Sequence, residues 1–332
     1  MKIAILDDYA SAALTLADWS PVTRQADVHV FNRHLSDAEI VAALEPFEVI
    51  CTLRERASLP ALVLDRLPHL KAIVVTDARV RTIDYAAAAR NGVVILEGKA
   101  PADLPSAPAA TAEFAWGLIL ATVRHIPAEA QRLREGLWQK SLGMPLEGKT
   151  LGIVGLGKIG ARVARYARAF DMQVLAIRRD VARSAADALD LLGGMEIFDE
   201  VLRRADYLLL ALPLTPATRG LIGEAQLGLM KPTAMLVNVS RGEIVDELAL
   251  YQALAGRRLA GAALDVWYRY PTDAAPTLPA RQPFHELPNV LMTPHVSGWT
   301  EGMLEARARL IAENIARTAR GEPPLNLIPP AV

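Results

Sequence analysis

A single cysteine, Cys51, stands in 332 residues. No disulfide can form within the chain and no cysteine cluster can hold a metal, so a reducing compartment and a metal-free protein are expected. Charge of one sign is not in excess either: the formal charge is −1, with acids and bases spread along the whole length. Without a broad positive field, nucleic acid and anionic membrane surfaces have no support as partners. Long apolar runs are also lacking. The N-terminal stretch turns acidic at Asp7 and Asp8 after a short apolar run, too brief for a signal-peptide core. The longest uncharged apolar stretch, 114–123, is about half a membrane span. A cytoplasmic protein is the expectation.

What is present describes a packed globular chain, 52% apolar and 22% charged. Its length exceeds what one hydrophobic core usually fills, so two domains are expected. Short β-branched runs at 2–6, 28–31, 48–53, 70–76 and 93–96 read as strands. Between them lie helical stretches, 36–44 opening at Ser36 as N-cap and 83–90 closing at Asn91-Gly92. Strand–helix alternation of this kind makes a parallel sheet with helices on both faces, an α/β fold. From 98 to 108 the chain is rich in Pro and Ala and reads as a linker. The following stretch, 109–123, predicts a nearly all-apolar helix, buried between domains, in a subunit interface, or in the core of one domain. A second series of strands follows at 150–154, 173–177, 207–211, 234–239, 259–264 and 290–293. A last helix, 300–320, comes after it and can pack back on the first domain. No internal repeat is visible.

The strand 150–154 runs directly into Gly155-Leu156-Gly157-Lys158-Ile159-Gly160 and then a helix, 161–170. A GxGxxG means little by itself, but at a strand-to-helix turn it reads as a dinucleotide site. Gly155 permits the tight turn, Gly157 lets the backbone approach a pyrophosphate, and Gly160 lets helix and strand pack closely. The helix N-terminus supplies N–H groups and positive dipole to the anion. At the tip of the next strand, 18 residues past Gly160, stands Arg178, then Arg179 and Asp180. A carboxylate there would accept from ribose hydroxyls, whereas a guanidinium suits a 2′-phosphate. NADP is therefore favoured over NAD, with Asp180 as the group through which NAD could still bind.

Three strands of the second series end in polar side chains suited to chemistry. They are Ser240-Arg241-Gly242, Asp265, and His295 followed by Val296, Ser297 and Gly298. Ligands of doubly wound sheets lie beyond the carboxyl ends of strands, so these converge on one site. Histidine titrates near neutrality and suits proton transfer to an oxygen whose carbon exchanges hydride. Arginine can hold a carboxylate and polarise the adjacent carbonyl.

Four runs then carry a resemblance: 212–220 (Leu-Pro-Leu-Thr-Pro-Ala-Thr-Arg-Gly), 238–242 (Asn-Val-Ser-Arg-Gly), 262–266 (Ala-Ala-Leu-Asp-Val) and 293–295 (Thr-Pro-His). With Thr111-Ala112-Glu113 at the start of the long helix, the chain resembles the D-isomer-specific 2-hydroxyacid dehydrogenases over nearly its whole length. Formate, phosphite and phosphoglycerate dehydrogenases share these motifs. The resemblance implies a flavodoxin-like substrate domain, 1–100 plus 300–332, and an inserted Rossmann nucleotide-binding domain, 101–299, both with doubly wound parallel sheets. It also implies a homodimer and a small 2-keto or 2-hydroxy acid as substrate. Arg241 would anchor the substrate carboxylate and carbonyl, and His295 would be the general acid/base. Lys158 and Ile159 would lie at the pyrophosphate, Asp265 at the nicotinamide end, and Leu212, Pro213, Thr218, Val239, Ser240 and Gly298 along the cofactor. On the substrate side stand Arg54 and the loop Thr76-Asp77-Ala78-Arg79.

The sequence departs from the family at one catalytic position. Five residues after the Asp of Leu-Asp-Val, where the family has a glutamate bonded to the histidine, stands Tyr270. A tyrosine can orient an imidazole but brings no negative charge, so the histidine pKa is not raised. Reduction, which needs protonated His295, is then expected to fail at lower pH than in glutamate-bearing relatives. Glu286 is an alternative source of the charge. The loop 76–81, where the family commonly has glycine near 77 or 78, also departs and carries Asp77 and Arg79. The missing glutamate keeps a second function in view, a nucleotide sensor like the C-terminal-binding corepressors, against which Arg241 and His295 argue. Formate oxidation needs no acid/base and is the weaker fit.

Overall fold

Apolar runs bounded by turn residues condense into strands and the Ala-rich stretches between them into helices, in both halves of the chain. The computed structural model describes residues 1–9, 11–15, 18–52, 57–75, 82–97, 107–181, 189–271, 276–325 and 327–328. Two compact units result, one of Met1–Ser106, Pro271–Pro276 and Trp299–Val332, the other of Ala107–Tyr270 and Thr277–Gly298.

The first unit begins with β1 (Lys2–Leu6), α1 (Ser20–Thr23), β2 (Asp27–Val30), α2 (Ile40–Leu44) and β3 (Val49–Thr52). It continues through α3 (Ala61–Leu64), β4 (Ala72–Val75), α4 (Tyr85–Arg90) and β5 (Val94–Glu97). The second unit holds α5 (Ala107–Val123), α6 (Ile126–Arg134), β6 (Thr150–Val154), α7 (Lys158–Ala169), β7 (Gln173–Ile177), β8 (Leu191–Gly193) and α8 (Phe198–Arg204). After these come β9 (Tyr207–Leu210), α9 (Glu224–Leu229), β10 (Met235–Asn238), α10 (Glu247–Ala255), β11 (Gly261–Leu264) and β12 (Val290–Met292). The chain ends in the first unit with α11 (Glu301–Ala319) and β13 (Leu327–Ile328).

Strand order in the first sheet is β13-β5-β4-β3-β1-β2, with β1 to β5 parallel in the flavodoxin-like order. The edge partner β13 runs antiparallel to β5, an addition to the all-parallel sheet that the sequence predicts. Alternate side chains of β1 serve two cores. Ala4 and Leu6 pack with Ile40, Leu44 and Val63 on one face, Ile3 and Ile5 with Val22, Ile311 and Ile315 on the other. The C-terminal helix α11 thus returns to the first sheet. Cys51 lies in the same layer, where burial pushes its thiol pKa up and leaves it unreactive.

The second sheet is β12-β11-β10-β9-β6-β7-β8, all parallel, which is the Rossmann order with one added strand. On one face α8, α9 and α10 cover Leu175, Leu208, Leu236 and Leu264. On the other, α5 and α7 cover Ile153, Val174, Leu209 and Val237. Of the three settings open to the long apolar helix, the core of its own unit accounts for Ala112, Ala115, Ile119 and Val123.

Some sequence expectations shift. The helix expected from Ser36 begins at Ile40, because Ser36 and Glu39 bond each other in a preceding turn (Ser36 Oγ to Glu39 Oε2, 2.7 Å). The helix expected from Ile83 begins at Tyr85, capped by the Asp84 side chain on the Ala87 N–H at 2.9 Å. The short edge strands β8 and β13 carry too few residues to show an alternation.

Ile315 is 2% exposed at the centre of the α11 contact. Ile315→Ala should destabilise the first unit by about 2–4 kcal/mol, seen as a lower urea midpoint for its transition. An unchanged midpoint would show that α11 adds nothing to that core.

Candidate active site

The glycine-rich turn joins β6 to α7, and its three glycines have separate physical reasons. Gly155 has φ +105, and a Cβ there would sit 2.5 Å from the Ala211 carbonyl oxygen. A Cβ on Gly160 would lie 2.5 Å from the Gly155 oxygen and 3.0 Å from Ile153 Cγ2. Both are demanded by the protein itself. Gly157, the N-cap of α7, is different: a Cβ there meets nothing within 4 Å. Its bare backbone leaves a cradle in which a side chain would stand in the way of an approaching group. Lys158 and Ile159 follow in the first helical turn, whose N–H groups have no intrahelical partner. The turn fits a dinucleotide pyrophosphate.

At the tip of β7, Arg178 is half-buried and its backbone N–H donates to the Gly193 oxygen at 2.9 Å; Arg179 and Asp180 are exposed. The loop after β9 is built around hydroxyls. Ser240 Oγ accepts from the Leu212 N–H (2.9 Å) and donates to the Leu210 oxygen (2.9 Å). Thr218 Oγ1 accepts from the Thr215 N–H and donates to the Pro213 oxygen, each at 2.8 Å. Both hydroxyls hold the loop in shape. Val239 is buried, Gly298 half-buried.

Strand register explains why distant residues meet. Asn238 of β10 pairs Leu264 of β11, and Leu264 pairs Met292 of β12. Arg241, Asp265 and His295 therefore leave adjacent strands at the same, carboxyl, end. The Arg241 backbone is fixed by Asn238 Nδ2, which donates to its carbonyl at 3.0 Å, and its guanidinium donates to the Ser240 oxygen at 2.8 Å. Gly242 must be glycine here, since a Cβ would lie 2.5 Å from the Trp267 carbonyl.

Asp265 is fully buried. Its Oδ1 accepts from Thr293 Oγ1 (2.7 Å) and the Val296 N–H (2.9 Å), and its Oδ2 from the Ser297 N–H (2.9 Å). These bonds bracket His295, which sits in the left-handed region at φ +56. Trp267 adds a second anchor, its indole N–H donating to the Thr293 oxygen at 2.8 Å. Tyr270 then meets the histidine: its hydroxyl oxygen lies 2.9 Å from His295 Nδ1 and accepts from the Trp267 N–H at 3.2 Å. Burial of this hydroxyl pushes its pKa up, opposed by the Trp267 N–H bond and by the Arg241 cation. Tyr270 thus contacts His295 and feels the Arg241 cation, although Tyr270 as a whole is 44% exposed. Glu286 does not supply the missing charge; it stands in a 3₁₀ turn with His285 Nε2 3.8 Å from its carboxylate.

The substrate-side candidates Arg54, Thr76, Asp77, Ala78 and Arg79 lie outside the described residues. Asn238 and Thr293 sit inside the motifs read from the sequence, and Trp267 directly follows one, but no role is expected for them from the sequence alone. At the carboxyl end of β1 the sequence reading also passed over Asp7, which is buried at φ +58 with His34 Nδ1 3.0 Å from its Oδ1. The signal there was a pair of acids directly after an apolar strand.

Residues 116–297 match the family described as D-isomer specific 2-hydroxyacid dehydrogenase, NAD binding domain. A D-3-phosphoglycerate dehydrogenase of Methanocaldococcus jannaschii is 33% identical over 299 residues, 89% of this chain and 54% of that protein. The chain therefore spans about half the length of that relative. A glyoxylate reductase of Thermococcus gammatolerans is 36% identical over 275 residues, covering 80% of this chain and 78% of that one. Among solved structures, a phosphoglycerate oxidoreductase from Vibrio cholerae superposes with a TM-score of 0.85 at 35% identity, covering 97% of this chain and 99% of that one. The chain belongs to the D-isomer specific 2-hydroxyacid dehydrogenase family.

Proposed function

We propose that the protein is an NAD(P)-dependent oxidoreductase interconverting a small 2-keto acid and its D-2-hydroxy acid. The observation that carries this reading is that Arg241, Asp265 and His295 leave adjacent strand ends, with the Tyr270 hydroxyl on His295, in the unit that holds the glycine turn. The cofactor, when bound, supplies or takes the hydride. Arg241 binds the substrate carboxylate and polarises the neighbouring carbonyl. His295 gives a proton to the carbonyl oxygen in reduction and takes one from the hydroxyl in oxidation. Asp265 and Trp267 hold the His295 loop in place. The names of the glyoxylate reductases at 36% identity favour a small keto acid over a bulky one. The substrate domain is assigned to 1–100 plus 300–332 and the nucleotide domain to 101–299. Arg178, at the tip of β7, favours NADP. The lone buried Cys51 suits the cytoplasm.

A homodimer is part of the reading. From the last turn of α6 to β6 the chain exposes a run of large apolar side chains, with Leu133 at 59%, Trp138 at 75% and Leu142 at 93%. Apolar surface concentrated in one segment marks a partner site, and a second copy is the occupant that the family resemblance implies.

Oxidation of NADPH or NADH with glyoxylate, hydroxypyruvate or phenylpyruvate tests the core claim. His295→Gln should lower kcat by about 10²–10⁴, with cofactor binding by fluorescence unchanged. Cofactor binding with no turnover of any acid would favour the sensor reading. Arg178→Ala should raise KM for NADPH by about tenfold or more and leave NADH unaffected; equal effects on both would remove Arg178 from the 2′-phosphate. Trp138→Glu should convert a dimer to monomer in sedimentation, and a monomeric wild type would remove the partner site.

A further inference from the structure

The Tyr270 hydroxyl has two neighbours whose hydrogen-bonding roles can be worked out. A phenolic oxygen carries one hydrogen and accepts well in one other in-plane direction. The Trp267 N–H, a donor only, fills the accepting direction at 3.2 Å. What remains for His295 Nδ1, 2.9 Å away, is the hydroxyl's own hydrogen. With the hydroxyl hydrogen directed at Nδ1, Nδ1 is the accepting nitrogen of a neutral ring and the imidazole proton sits on Nε2.

We propose that Trp267 and Tyr270 are positioning residues that hold neutral His295 in its Nε2–H tautomer. This rests on the reading of His295 as the acid/base, and it reverses the arrangement a carboxylate would impose. A glutamate at this place accepts from Nδ1–H and so favours the cation. The tyrosine donates to Nδ1 and so favours the neutral ring, an effect beyond the mere loss of a negative charge. The resting imidazole presents an N–H donor at Nε2, ready to bond a carbonyl oxygen. It cannot serve as a base at that nitrogen until the ring changes tautomer. Three features keep Trp267 in place to do this: its indole bond to the Thr293 oxygen at 2.8 Å, the approach of Gly242 to its carbonyl, and its 3% exposure. Burial keeps the Tyr270 proton on its oxygen at neutral pH. The charged groups that reach this hydroxyl are Arg241, which lowers its pKa, and Glu243 and Asp265, which raise it.

The test has a readout that needs no turnover. Nitrogen NMR of the full chain, labelled at its six histidines, with His295→Gln to assign the signal, reports which ring nitrogen is protonated above the histidine pKa. The expected wild-type result is an unprotonated Nδ1 and a protonated Nε2. Tyr270→Phe should abolish this preference, Trp267→Phe should weaken it, and Tyr270→Glu should invert it. In reduction kinetics, Tyr270→Phe should move the alkaline limit of kcat/KM upward by about half to one pH unit, since the bond to the neutral ring is lost. Tyr270→Glu should move it further. A tyrosine that only props the ring would change kcat without moving that limit. Protonated Nδ1 in the wild type, or an unchanged tautomer in Tyr270→Phe, overturns the proposal. An inactive protein that still shows the Nε2–H tautomer would overturn the enzymatic reading and leave this one standing.

Discussion

Asp265 is the constraint on which the site depends. A carboxylate with no exposed surface is costly, by several kcal/mol, unless donors surround it. Here the donors are Thr293 Oγ1 and the N–H groups of Val296 and Ser297, all from the segment that carries His295. The clamp acts in both directions: the segment stabilises the buried charge, and the charge holds His295 at a left-handed φ that a histidine seldom adopts. Strain of that kind persists only where its surroundings impose it, and Trp267 supplies the second restraint from the same strand end.

The glycine turn separates what the fold requires from what a ligand requires. Substituting Gly155 or Gly160 would drive a Cβ into backbone oxygen at 2.5 Å, so folding alone explains both. Gly157 has open space around the position of a Cβ. No described atom demands a glycine there, and a bare backbone at a helix N-terminus suits the close approach of an anion.

Tyr270 meets the ring as an uncharged hydroxyl 2.9 Å from Nδ1. It reaches Nδ1 over the same kind of distance as a carboxylate would, so the ring keeps an anchor. What differs is which partner carries the proton. The described bond at His295 Nδ1 is to the Tyr270 hydroxyl, on which the Arg241 cation also acts.

Much of this was legible in the residues. Apolar runs of four to five residues marked β1, β6 and β7 closely, because a strand buried on both faces must be apolar throughout. The glycine spacing at 155, 157 and 160 announced the turn, and the motifs around Arg241, Asp265 and His295 announced the strand ends. Edge strands such as β8 and β13 were hidden, since a few residues carry no periodicity. The late start of α2 was hidden too, in a side-chain bond between Ser36 and Glu39 that competes with the helix. Above all, the sequence by itself determined which groups the site has, including the tyrosine in place of an acid. Only the tertiary structure decided what each group does for its neighbour: that Asp265 faces the His295 loop, that Glu286 turns to His285, and that the Trp267 N–H meets the Tyr270 oxygen. The Asp265 contacts span 28 to 32 residues and depend on strand register, which no local spacing encodes, while the other two are short-range pairings set by how each loop folds.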